Sequence, residues 1–263
     1  MFIPGIKKSF PALLAASLIF FAAGCRKDTD QTEPVTPATG IILSFSNVAD
    51  TVPLTLNSAT YNYVNANGDS FNVTTYKYYI SNVSFTDANN NTWSEPESYH
   101  LVNAADPNSL NVSISGIPAG NYTSIHFMIG VDSTRNVSGA QTGALDPAND
   151  MFWTWNTGYI MAKFEGKSPS STAAAHSLTF HIGGYGGANA TQQWVTSSFG
   201  SQTANVTTSV IPVVHISSNM LEWFRSPSVI DFSTTNSVAS PGNNALTIAH
   251  NYADMFTVTG ITN

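Results

Sequence analysis

From Ile41 onward, apolar and polar positions alternate over short runs, the period-two signature of half-buried strands. Such runs cover 41–46, 52–56, 61–64, 71–76, 76–85, 99–102, 110–114, 122–130, 160–164, 178–182, 194–199, 204–208 and 210–216. Within 76–85 the alternation changes phase: Tyr76, Tyr78 and Ile80 stand against Tyr79, Val83 and Phe85 after a shift. Turn-forming clusters separate the runs, among them Asn65-Ala66-Asn67-Gly68-Asp69, Asp87-Ala88-Asn89-Asn90-Asn91 and Pro118-Ala119-Gly120-Asn121. Two segments read as helix instead. About a turn and a half is expected at 219–224, and 243–256 sets Ala245, Ile248, Ala249, Tyr252 and Phe256 on one helical face before a closing strand at 256–261. No repeat of fixed period is present, so the pattern predicts an all-β chain: a single Greek-key β-sandwich-like domain with one or two short helices near the C-terminus.

One stretch breaks the rhythm. Between Gly130 and Gly166 a long segment rich in Gly, Asn and Asp carries Trp153, Trp155 and Tyr159, then enters a strand whose apolar side chains are Ile160, Ala162 and Phe164. Long irregular loops in compact domains are more often functional than connective. The same indoles could equally serve as lids on a β core.

Composition narrows the class. Only 10% of residues are charged against 42% hydrophobic, and Asn, Ser, Thr and Gly fill the balance, as in an extracytoplasmic β protein. The formal net charge of -7 disfavours nucleic acid and anionic lipid surfaces as partners. Residues 1–24 read as a secretory leader: Lys7 and Lys8 precede the apolar run 11–23, which is short for a transmembrane helix. Ala22-Ala23-Gly24-Cys25 resembles a bacterial lipobox, which implies cleavage before Cys25 and lipidation of its thiol. Cys25 is the single cysteine, so none remains for a disulfide, a thiolate metal site or a nucleophile. Residues 25–40 then form the lipidated end and a polar, proline-bearing tether, and 41–263 the folded domain, an organisation that places the protein at the outer membrane on its periplasmic or surface face.

Three of the six histidines have informative surroundings. His181 alternates with Leu178, Phe180 and Ile182, so it faces away from them; His215 shares a strand face with Ile211 and Val213; His100 lies opposite Tyr99 and Leu101. An imidazole fixed on a strand suits copper or zinc because its lone pair has a set direction. No HExxH and no His-x-His spacing is present. Asp132, Asp146 and Asp150 border the aromatic loop without the spacing of a calcium loop, which favours turn and cap roles. Glu95, Glu97 and Glu165 form no acid–base pair that the sequence selects, and there is no Gly-x-Ser-x-Gly elbow, so an enzyme is not expected.

The segments Tyr78-Tyr79-Ile80-Ser81-Asn82-Val83, Ser98-Tyr99-His100-Leu101, Gly130-Val131-Asp132 through Asp146-Pro147, Met151-Phe152-Trp153-Thr154-Trp155-Asn156-Thr157-Gly158-Tyr159 and His181-Ile182-Gly183-Gly184 together resemble the MbnP-like family of bacterial extracytoplasmic copper-binding proteins. The resemblance runs across most of 41–260. It implies a sandwich-like domain that binds copper through histidine for acquisition, storage or delivery, and in some members a tryptophan oxidised to kynurenine by a partner di-haem enzyme. By the same resemblance His181 is the foremost expected ligand, His100 and His215 are further ones, and Trp155 or Trp153 is the residue open to oxidation. The absence of domain cysteines departs from some members of the family. The alternative from a different class is a metal-independent surface module that binds glycan or protein through Trp153, Trp155, Trp194 and nearby tyrosines.

Overall fold

An 18-residue strand is the spine of the domain. The computed structural model describes residues 39–155 and 158–263; the leader 1–24, Cys25 and the tether up to residue 38 lie outside the described residues. The strands that matter below are β1 (Gly40–Ala49), β2 (Ser70–Asp87), β3 (Tyr99–Asn103), β4 (Asn111–Ser115), β5 (Gly120–Ile129), β6 (Gly158–Lys167), β7 (Ser177–Gly183), β8 (Gln193–Ser198), β9 (Val213–Asn219) and β10 (Phe256–Thr262), with one helix α1 (Asn243–Tyr252) before the last of them. β1 pairs with β9 in parallel and with β4 antiparallel, and β10 extends that sheet beyond β9. In the second, larger sheet β8 pairs with β5, β5 and β6 each pair with β2, and β7 pairs with β6. Among the described residues no helix is long and apolar enough to cross a membrane.

Alternation explains the packing between the sheets. Ile41, Leu43 and Phe45 of β1 and Val214 and Ile216 of β9 turn inward, where they meet Tyr76, Tyr78, Ile80, Phe164 and Phe180 of the second sheet. The phase change in β2 is a bulge. Asn82 has φ 53 and the pairing with β5 shifts between Ser81 and Ser84, which returns Val83 and Phe85 to the inner face after Ile80. One continuous strand therefore replaces the two runs expected at 71–76 and 76–85. An Asn tolerates that left-handed conformation better than most residues.

The helical expectations are met with adjusted boundaries. Met220–Phe224 is a 3-10 turn capped by the Asn219 side chain, and α1 buries Ala245, Ile248, Ala249 and Tyr252. Phe256 already belongs to β10, because the chain turns at 253–255 to pair with β9.

β2 also explains where the long loop leaves. Lys77 and Tyr78 pair with both β6 and β3, and Ile80 and Ser81 pair with both β5 and β3. A residue has only two edges, so β5 and β6 lie end to end along one edge of β2 and β3 lies along the other. β5 runs into β6 at Gly130, whose φ is +115 and where an added Cβ would come within 2.8 Å of the Met161 sulfur. The chain must leave the sheet at that point, and it does so onto the outer face.

Candidate functional site

Residues 131–155 cover the outer face of the second sheet and bring their own small core. Tyr79, Val131, Leu145, Met151, Trp153, Tyr159, Ile160 and Met161 cluster there, separate from the core between the sheets. Polar groups hold the loop down. The Tyr79 hydroxyl donates to the Ala144 carbonyl at 3.0 Å and the Tyr159 hydroxyl to the Leu145 carbonyl at 2.7 Å. Lys77 Nζ donates to the Asn149 carbonyl at 3.0 Å, and Lys163, only 3% exposed, donates to the Asp150 carbonyl at 3.0 Å and pairs with the Asp150 carboxylate. Asn136 is buried and bridges both ends of the loop: its amide donates to the Val131 and Asp132 carbonyls at 2.6 and 2.9 Å, and its oxygen accepts from Tyr159 N–H at 2.8 Å. Asp132 and Asp146 cap helical turns and Asp150 sits in a left-handed turn conformation, the roles their turn chemistry implied.

The two most specific motif segments meet on this face. Ile182 points inward, so His181 and Gly183 point outward along β7. The Trp153 ring lies directly over Gly183: a Cβ there would approach its carbons to 2.6 Å. Only glycine lets the indole lie that close to the strand. Trp153 is 6% exposed and Trp155 64%, with ring centroids 5.5 Å apart. Beside them opens a hollow of about 350 Å³ bordered by Trp153, Tyr159, Tyr185 and Pro241.

His181 Nε2 is 2.7 Å from Glu165 Oε1 across the β6–β7 pair. Glu165 also accepts from Thr75 Oγ1 at 2.8 Å, and Lys163 Nζ stands 3.8 Å away. The hydrogen bond from His181 is the largest of the influences that hold the Glu165 carboxyl down to about 2, ahead of Thr75 and the Lys163 charge and against the opposing pull of burial. An ionised Glu165 accepts the Nε2–H proton of a neutral ring, which leaves Nδ1 with its lone pair. Sequence reasoning did not single out this glutamate as the partner. The signal was available, since Glu165 lies two residues from Lys163, and antiparallel pairing of 160–167 with 177–183 sets both beside His181.

The other expected histidines lie elsewhere. His215 alternates with buried Val214 and Ile216, so it leaves the outer face of the first sheet, where Nε2 meets Thr262 Oγ1 at 2.9 Å. His100 shares its strand face with Val102 and binds Glu95 Oε2 at 2.8 Å, while Tyr99 and Leu101 turn to the outer cluster. His181 and His215 thus emerge from opposite faces of the sandwich, and His100 lies on the inner side of β3, the face opposite to that of His181. Among the described residues no three His, Cys, Asp or Glu side chains are grouped so as to hold a metal ion.

Comparison with known proteins joins this geometry to a lineage. The family model of MbnP matches residues 38–244. The chain belongs to the MbnP family. A solved structure, MbnP from Methylosinus trichosporium, superposes with a TM-score of 0.53 at 14% identity, covering 79% of this chain and 83% of that one. At that identity the likeness is one of fold, and it agrees with the sandwich expected from the alternation. None of the curated proteins matches the sequence. Family membership therefore rests on the span that includes both sheets, the outer loop and His181.

Proposed function

We propose that the protein is a lipid-anchored extracytoplasmic copper-binding protein that takes up and hands on the ion at His181, without turnover chemistry of its own. The observation that supports this reading most directly is the meeting of the two motif segments: Trp153 lies on Gly183, beside an imidazole oriented by an ionised carboxylate. A carboxylate on one ring nitrogen is the usual support for a metal-ligating histidine, because it fixes the tautomer and raises the basicity of the other nitrogen.

A cage of several imidazoles does not fit these residues. His215 leaves the opposite face of the sandwich from His181, and His100 the opposite face of their shared sheet, so the proposal assigns neither a part in the centre. One nitrogen donor with exchangeable partners holds copper loosely, which suits acquisition and delivery over long storage. Trp155, the exposed indole, is the ring that a partner di-haem enzyme could reach; Trp153 is enclosed. Attachment through the lipidated Cys25 would keep the domain at the outer membrane.

Copper titration of the full chain, followed by electron paramagnetic resonance, tests the reading. One nitrogen in the copper coordination is expected, with loss of binding in His181→Ala and binding weakened about 10- to 100-fold in Glu165→Gln. Unchanged binding in His181→Ala overturns the site. Release of the protein from membranes by Cys25→Ser tests the anchor separately.

A further inference from the structure

A second surface, on the β8–β5 pair and not the β6–β7 pair that carries His181, has the make-up of a ligand site. Trp194 on β8 is 52% exposed and pairs across the strands with Met128 of β5. One face of its indole is occupied: the His126 ring lies parallel to it, 4.6 Å away and tilted by only 4°. His126 is itself tied to Thr196 Oγ1 at 2.7 Å. The indole is thereby held from behind, and its other face is left to solvent. A hollow of about 480 Å³ opens beside it, with Met128, Asn82, Asp132, Tyr99 and Arg135 around it. Met128 is buried there, and its sulfur lies 4.0 Å from Asn82 Nδ2 in the lining of this hollow.

The wall opposite the indole is a fixed array of planar polar groups. Asp132 accepts from Tyr99 Oη at 2.5 Å, from Asn82 Nδ2 at 3.2 Å and from Arg135 N–H at 3.1 Å. Burial pushes its carboxyl up, but these donors outweigh it and keep the group below its ordinary range, hence ionised. The Arg135 guanidinium lies 5.5 Å over the Tyr99 ring, donates to Gln141 Oε1 at 3.2 Å and pairs with Glu97. A second hollow of about 300 Å³ shares Glu97, Tyr99 and Arg135 with the first and continues toward Gln141 and Leu145.

From this arrangement we infer that the groove from Trp194 past Arg135 binds a neutral oligosaccharide. The C–H face of a sugar ring stacks on an open indole, while its ring-edge hydroxyls need paired acceptors and donors of the carboxylate, amide and guanidinium type. Two carboxylates in the wall and the acidic balance of the chain turn away phosphorylated or acidic ligands. Two hollows meeting at Arg135 accommodate more than one sugar unit, so affinity rises with chain length. The site shares no residue with the copper proposal and needs no metal.

The full chain, kept in excess chelator, is titrated by calorimetry and tryptophan fluorescence with cello-, xylo-, manno- and malto-oligosaccharides of increasing length. At least one series is expected to bind, more tightly as it lengthens. Trp194→Ala should weaken that binding about tenfold or more, Trp194→Phe should keep part of it, and Trp155→Ala should leave it unchanged. Arg135→Gln should reduce the gain with length more than the binding of the shortest member. No binding by any series, or equal binding by Trp194→Ala, overturns the inference. Copper titration of Trp194→Ala separates the two readings, since that variant is expected to bind copper as the parent does.

Discussion

The two faces of the second sheet are held by different physics. On the inner face Phe164, Phe180 and Phe224 pack edge-to-face or tilted at 5.1–6.0 Å, within a core that excludes water. On the outer face the loop 131–155 is fastened by two phenols, two amines and one buried amide, each aimed at a backbone group. Apolar packing is non-directional and tolerates repacking; hydrogen bonds to single carbonyls do not. The inner face therefore sets whether the domain folds, and the outer face sets how accurately the candidate site is placed.

Substitutions on each face separate the two contributions. The largest loss is expected for Phe224→Ala, whose ring touches Phe71, Phe164, Phe180 and Phe232; global stability should fall by about 3–5 kcal/mol in denaturant unfolding. Asn136→Ala should cost less, about 1–3 kcal/mol for the groups it leaves unpaired. Its effect should be local, with hydrogen exchange accelerated over 131–155 while β1 and β9 stay protected; uniform acceleration would mean that the loop is not a separate unit.

A smaller effect distinguishes the faces by pH. The folded Glu165 carboxyl is depressed from 4.5 to about 2, so its contribution is present above pH 4.5 and is lost as the pH falls through about 2. Glu165→Gln should flatten the acid limb of the stability profile across that window and leave the apolar core's response to denaturant unchanged. The smallest effect belongs to Trp155→Ala. Its ring is largely in solvent, and the unfolding free energy should stay within the scatter expected of surface changes, about 0.5 kcal/mol.

The same contrast explains what could be read from the amino-acid order. Period-two alternation found the strands and the inward faces of β1 and β7, because burial of one face is written residue by residue; in β9 it set His215 with Ile211 and Val213 as the sheltered side, whereas Val214 and Ile216 are the residues that turn in. Even the phase change near Asn82 was visible before its bulge was. It could not show that β5 and β6 share one edge of β2, since pairing partners are chosen by packing across the chain. The direction of His181 was legible from its neighbours Phe180 and Ile182. That His100 and His215 do not join it was not, because the strand faces they occupy acquire their orientation only when the sheets stack. Asn136 left no trace in the pattern: a lone polar residue in a polar loop looks like any other until its three partners surround it.

The seam where β5 abuts β6 against β2 has a further consequence. Gly130 N–H donates to the Tyr79 carbonyl and Ile160 pairs with Gly183 of β7, so both ends of the excursion are held by strands outside it. The site-bearing excursion is therefore an insert on a separately held frame, and a segment of different length grafted between Gly130 and Ile160 would inherit the same exit and re-entry.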